Sequence, residues 1–263
     1  MQPFYLDHLS LIDLRELEFV ELAAQLGCAG VSLIVAGAPI NPALNLVDDH
    51  PARREVIRVL REHRMGVGIV EPFMLTATPD WPLMERIVSV AAELGGMVNA
   101  LGFDTDDARL QDSLGRLSNM AAAAGVRMCI EAFPLSHIRT QAQALELARG
   151  AGPRVGLCVD TLHVIRAGGS WQDVQQLPAE LIYHVQLNDG PRAAPQDRLA
   201  EAVGERLPPG EGEFDLPALL PLLPNTASWA IEAPFHAPAG MTPLERGRRL
   251  VNATRRLLDA HIP

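Results

Sequence analysis

Eight short apolar runs punctuate the chain, and no other feature restricts its fold so strongly. They are "PFYLDHL" at 3–9, "GVSLIV" at 30–35, "GVGIVEPF" at 66–73, "MVNALGF" at 97–103, "VRMCIEAF" at 126–133, "RVGLCVD" at 154–160, "LIYHVQLND" at 181–189 and "SWAIEAP" at 228–234. Rich in Val, Ile and Leu, they read as strands buried on both faces, the condition of a parallel sheet covered by helices. The segments between them repeat apolar residues at helical spacing. "DLRELEFVELAAQLG" at 13–27 has an Asp at its start and Gly27 at its end, and "HPARREVIRVLREHRMG" at 50–66 has Pro at an opening position and Gly past its last turn. "TPDWPLMERIVSVAAELGG", "DARLQDSLGRLSNMAAAAG", "TQAQALELARGAG" and "TPLERGRRLVNATRRLLDAH" behave alike. Eight strand–helix units in 263 residues predict an α/β fold, a (β/α)₈ TIM barrel occupying 1–263 as one domain. A doubly wound open sheet is the runner-up, but no G-x-G-x-x-G follows the first run. The stretch 188–214 lacks periodicity and is expected to form an enlarged loop over the catalytic face.

Composition narrows the chemistry. All 22 basic residues are Arg, so a Schiff-base lysine and a Walker P-loop are both excluded. The formal net charge is −10, and the densest basic cluster, "RGRR" at 246–249, reads as the solvated face of a last helix. A nucleic-acid partner is not expected. Three cysteines without a C-x-x-C pair argue for reduced thiols and a cytoplasmic setting, with Cys129 and Cys158 as core residues. Neither a signal peptide nor a membrane-spanning run is expected. A homo-oligomer is compatible with this composition.

In a parallel barrel the C-terminal strand ends converge on one face. Runs five to eight end on Glu131, Asp160, Gln186 and Glu232: three carboxylates and a neutral oxygen donor from consecutive strands. Like charges gathered so closely repel unless a cation joins them. Oxygen donors of this kind suit a hard divalent ion, Mg²⁺ or Mn²⁺. Asp160 alone could be a helix cap, but His163 three residues on strengthens a functional reading. Side-chain alternation puts His184 on the same face as Gln186, so either could meet the ion; Gln186 lies nearer the mouth. Asp189 is either an orienting group or a loop cap. His8 and Glu71 end the first and third runs, and both are expected to bind substrate, as is His184. Trp171, Phe133 and His236 are weaker pocket candidates.

The stretches "CIEAFP", "VDTLH", "VQLND", "AIEAP" and "PPGEGEFDLPALLPLL" resemble the xylose isomerase-like TIM barrels, which group sugar phosphate isomerases and epimerases with endonuclease IV. The resemblance implies one Mn²⁺, Mg²⁺ or Co²⁺ bound at Glu131, Asp160, Gln186 and Glu232. It also implies Glu131 and Glu232 as the acid/base pair, with His163 and Arg192 on substrate oxygens. Gln186 stands where the epimerases usually carry His, which is similar to the pattern in 3-dehydroshikimate dehydratases. Endonuclease IV chemistry is not expected, since the further His ligands and the Asp-x-His of its glycine-rich loop are missing. A phosphorylated substrate would need Arg192 or Arg166 as anchor.

These features predict a metal-dependent isomerase or epimerase that removes a proton beside the carbonyl of a small polyhydroxylated compound. A metal-dependent dehydratase shares the first step, with His163 as acid for the departing hydroxyl. A barrel that binds without catalysis is the third reading. No membrane partner is expected.

Overall fold

The computed structural model describes residues 2–262. Ten strands form among them, numbered in chain order: β1 (Tyr5–Asp7), β2 (Gly30–Ile34), β3 (Ala36–Ala38), β4 (Asn41–Asn45), β5 (Gly66–Leu75), β6 (Met97–Gly102), β7 (Met128–Glu131), β8 (Val155–Asp160), β9 (Ile182–Leu187) and β10 (Ser228–Ile231). Eight of them close into a parallel barrel in the order β1, β10, β9, β8, β7, β6, β5, β2. These are the eight apolar runs, so the chain folds as the predicted (β/α)₈ barrel. The remaining two, β3 and β4, pair antiparallel as a hairpin that follows directly on β2. The sequence reading did not anticipate this hairpin, because its strands are too short and too rich in Gly, Pro and Asn to show a period.

Helices cover the barrel. Their starts are fixed locally: the carboxylates of Asp49, Asp80 and Asp106 accept from backbone N–H groups in the first turns of His50–Glu62, Trp81–Leu94 and Asp107–Ala123. Thr140 and Thr242 build capping boxes with Gln143 and Glu245 at the heads of Gln141–Ala151 and Pro243–His261. Gly95 closes Trp81–Leu94 in the left-handed region that only glycine enters freely (φ 74°). Outward strand residues such as Leu33, Val98, Ile130, Val159, Val185 and Ile231 pack with Phe19, Val56, Ile87, Leu114 and Leu250 in one apolar layer. Full burial of each such side chain stabilises the fold by about 1.5–3 kcal/mol.

The barrel interior is a separate compartment with two levels. The lower level is made by Ile69, Met97, Cys129 and Cys158, joined by His184, whose Nδ1 lies 2.6 Å from Ser228 Oγ and whose Nε2 lies 3.4 Å from Ser32 Oγ. The upper level, one alternation further along each strand, is polar and forms the site. The three cysteines are free and buried, and burial pushes the Cys28 and Cys129 thiols up to about 12. They are inert core groups. The stretch 188–214 does form a long excursion at the C-terminal ends of the strands, and it contains the helix Arg198–Gly204. Among the described residues no helix is long and apolar enough to cross a membrane.

Gly68 leaves the space that His184 fills. A Cβ there would stand 2.8 Å from the imidazole Cε1 and 3.0 Å from Ser32 Oγ. Gly68→Val is expected to lower unfolding free energy by about 1–3 kcal/mol through overpacking, read as a lower urea midpoint with unchanged slope.

Candidate active site

The upper level holds seven polar side chains: Asp7, Glu71, Asn99, Glu131, Asp160, Gln186 and Glu232. Strand alternation aims them inward, and the parallel register places Asp160 beside Gln186 and Gln186 beside Ala230, two residues before Glu232. Five of the seven are carboxylates, four of them almost fully buried and Glu71 partly open to the pocket. Asn99 Nδ2 donates to Glu71 Oε1 (3.0 Å) and to Glu131 Oε2, bridging two acids. Gln186 Nε2 donates to Glu232 Oε1 (2.9 Å) and Asp7 Oδ2 (3.2 Å), while its Oε1 accepts from Cys158 Sγ (3.1 Å). The amide therefore meets its neighbours through nitrogen; half a turn of the amide plane would bring Oε1 to the same point.

The sequence reading left these acids with no counter-charge but a metal. The structure supplies one from the chain. Arg206 Nη1 donates to Asp160 Oδ2 (2.7 Å), Glu232 Oε2 (2.8 Å) and the Glu232 carbonyl (3.0 Å), and Nε donates to Ala202 O (2.8 Å). Its backbone is held equally firmly. Arg206 N–H donates to Pro234 O, and Leu207 exchanges two hydrogen bonds with Asp189. The Asp189 carboxylate accepts from the N–H groups of Gly190, Gly210 and Phe214 (2.9–3.1 Å), and a Cβ on Gly212 would collide with it. Asp189 is thus the organiser of the glycine-rich loop that delivers Arg206.

One guanidinium neutralises one carboxylate, and this divides the pair. Burial pushes Asp160 up, but Arg206, His163 and the amide of Asn188 outweigh it and hold its carboxyl below the usual range. Burial drives Glu232 well above its ordinary value, opposed by Arg206 and assisted by the charges of Asp7, Asp160 and Glu131. Burial likewise pushes Asp7 up to about 6 and Glu71 well above its ordinary value. Asp7 Oδ1 has no hydrogen-bond partner at all. An excess of oxygen anions over one arginine, with an orphaned buried oxygen, is a donor set that fits a hard divalent cation.

The other residues named from sequence divide cleanly. His163 joins the site: its Nε2 lies 3.3 Å from Glu131 Oε1, its N–H caps onto Asp160 Oδ1 (3.1 Å), and its ring packs 4.7 Å from that of Phe133. Asp160 is therefore both helix cap and site residue. Glu71 and Phe133 reach the pocket as well. His8 does not: it points into the helix layer, stacked 4.5 Å from Phe19, with Nε2 3.1 Å from Leu14 O. Asp7 takes the inward position instead, since adjacent strand residues face opposite ways. His184 does face inward but one level too deep to touch substrate. Arg192 lies exposed on the loop, and Arg166 is spent on Glu201 (2.6 and 2.7 Å) and Pro191 O (2.7 Å), so neither anchors a phosphate at the pocket. His236 is exposed, and Trp171 is core, its Nε1 bonded to Phe214 O.

A cavity of about 390 Å³ opens above the acids, with Glu71, Glu131, Glu232, His163 and Arg206 in its floor and Pro39, Ile40, Met74, Phe103, Phe133 and Leu199 around it. Ile40 comes from the β3–β4 hairpin and Leu199 from the loop helix; both are exposed apolar residues on the rim. A slightly larger cavity, about 450 Å³, lies at the opposite end of the barrel around Tyr5, Arg127 and Ser228, and no acidic residue lines it.

A family model described as a xylose isomerase-like TIM barrel matches residues 20–250. The chain belongs to that family. A 3-dehydroshikimate dehydratase of Pseudomonas aeruginosa is 36% identical over 124 residues, which is 46% of this chain and 19% of that protein. The matched segment is thus about a fifth of the relative's length. Among solved structures, a xylose isomerase-like TIM barrel/4-hydroxyphenylpyruvate dioxygenase fusion protein superposes with a TM-score of 0.81 at 22% identity, over 99% of this chain and 43% of that one. The IOLI protein with a bound zinc atom superposes at 0.78 with 17% identity, over 99% of both chains. These two likenesses show the shared fold.

Two outcomes follow from the charge balance. Arg206→Met strips the guanidinium from Asp160 and Glu232; in chelator-treated protein it is expected to lower unfolding free energy by about 3–5 kcal/mol, and added Mn²⁺ should raise its Tm more than that of the wild type. Asp7 holds a proton in the folded state up to about pH 6 that the unfolded chain releases near its ordinary value of 3.8. Its contribution therefore falls as pH rises through that window. Asp7→Asn should match the wild type near pH 4 and exceed it by up to ~3 kcal/mol above pH 6 in urea melts. The difference between the two proteins cancels the opposite tilt from His184, which burial lowers to about 3.

Proposed function

We propose that this protein is a divalent-cation-dependent lyase that removes a proton beside the carbonyl of a small, unphosphorylated cyclic hydroxy ketone and eliminates the β-hydroxyl as water. The observation that carries this reading is the Glu131–His163 pair, 3.3 Å apart and facing one pocket. Elimination needs a base at the α-carbon and an acid at the departing oxygen. Glu131 takes the proton; His163, bonded to it, delivers one to the hydroxyl, and the two together restore the starting state. Phe133 against the imidazole limits its motion. A cation held by Glu131, Asp160, Gln186 and Glu232 supplies Lewis-acid polarisation of the carbonyl when bound. Arg206 fixes the carboxylates of Asp160 and Glu232 in place. The apolar walls accept the carbon face of a ring, and the arginine that lines the pocket, Arg206, is already paired with two carboxylates, which disfavours a phosphate. The 3-dehydroshikimate dehydratase relative supports the same outcome, because its substrate is of this class.

A second reading is an isomerase or epimerase. It is supported by Glu232, which faces the pocket from β10 while Glu131 faces it from β7, so that two carboxyls address one substrate. Purified protein supplied with Mn²⁺ or Mg²⁺ and 3-dehydroshikimate should produce a conjugated product, followed by its ultraviolet absorbance. Glu131→Gln should reduce kcat by about 10²–10⁴. His163→Ala should suppress water loss while solvent deuterium still enters the α-position. Deuterium exchange in the wild type with no water loss from any cyclic or open-chain hydroxy ketone would sink the lyase reading in favour of isomerisation.

A further inference from the structure

The cation reading above uses one half of the polar ring. The other half contains a second set of oxygens. Asp7 at the end of β1, Glu71 within β5 and Glu232 after β10 each offer an oxygen, and the three lie within 4.8 Å of one another. Asp7 is completely buried and its Oδ1 touches no donor. Its Oδ2 has only the Gln186 amide, and Glu71 Oε1 has only the Asn99 amide. Among the described residues no arginine or histidine forms an ion pair with Asp7 or Glu71, since Arg206 is directed at Asp160 and Glu232. Buried carboxylates without a cation are strongly disfavoured unless they bind protons or a metal. Oδ1 of Asp7 is a buried oxygen with no hydrogen-bond partner in the protein. A metal needs only an exposed lone pair at that point.

We propose a second divalent-cation site formed by Asp7, Glu71 and Glu232. All its donors are oxygens, which selects Mg²⁺, Mn²⁺ or Ca²⁺ over softer ions. Asn99, whose Nδ2 donates to Glu71, has a buried Oδ1 that also lacks a partner. Glu232 belongs to both sets, one oxygen facing Arg206 and the other facing the Gln186 amide beside Asp7. The pair is therefore a two-ion centre bridged by one glutamate, with Asp160 exclusive to one site and Asp7 exclusive to the other. Two ions a bridge apart can clamp both the carbonyl and a neighbouring oxygen of one substrate.

The test is metal stoichiometry with Mn²⁺, by elemental analysis and electron paramagnetic resonance on the full chain, for the wild type, Asp7→Asn, Glu71→Gln and Asp160→Asn. Circular dichroism melts check folding, and Asp7→Asn is expected to be at least as stable as the wild type. The expected result is two Mn²⁺ per wild-type chain with an exchange-coupled spectrum. Each variant should hold one Mn²⁺ with an isolated six-line spectrum. One wild-type ion that survives Asp7→Asn and is lost in Asp160→Asn overturns the second site and leaves the first. One ion lost in Asp7→Asn and kept in Asp160→Asn supports this site and overturns the first. No bound ion in any protein overturns both.

Discussion

Five carboxylates share the upper barrel with a single guanidinium, and the rest of the molecule is arranged around that imbalance. Two acids pointing into so small a volume already repel by several kcal/mol at the effective dielectric of a protein interior. The structure answers with Arg206, two bridging amides from Asn99 and Gln186, and a raised proton affinity at Asp7, Glu71 and Glu232. None of these is strong enough alone. Arg206 satisfies Asp160 and part of Glu232, and the amides tie the remainder into one network. A network of this kind keeps its members aimed at a common centre whether a cation or a proton sits there.

The placement of Arg206 depends on a loop with no regular structure over most of its length. Asp189 works there beside the buried Phe214. It gathers three backbone N–H groups and faces Leu207 across a short antiparallel bridge, so hydrogen bonds as well as apolar packing hold the glycine-rich turn. The buried Arg166–Glu201 pair fixes the loop helix in the same way. The most polar segment of the chain is thus among its best determined, because charge-assisted hydrogen bonds do what apolar contact does elsewhere.

The eight barrel strands were legible because burial on both faces leaves a run of Val, Ile and Leu that no loop imitates. The ring of acids was legible for the opposite reason: Glu131, Asp160 and Glu232 interrupt such runs, and each interruption is costly unless it is used. What escaped was parity and partnership. "LDH" at 6–8 places a carboxylate and an imidazole side by side, and composition cannot say which faces inward; the packing of His8 on Phe19 decides it. His184 obeys the alternation that selected it but sits about 6–7 Å lower than Gln186, a depth the one-letter code does not carry. Arg206 went unseen because its partners lie 46 and 26 residues away and its own surroundings have no period. One signal was present: a chain without Lys, with a lone Arg directly before "LPPGEGEF", facing acids that lacked a counter-charge.

Beneath the acids the barrel is plugged. Ile69, Met97 and the two thiols give no relay for hydrogen ions, and His184, braced by Ser32 and Ser228 and driven toward its neutral form, gives at most a local contact. The cup is closed below and open only at its brim. A molecule seated at that brim lies between Glu71, Glu131 and Glu232 and bulk water, so it meets the carboxyls from above while the plug bars any approach from beneath.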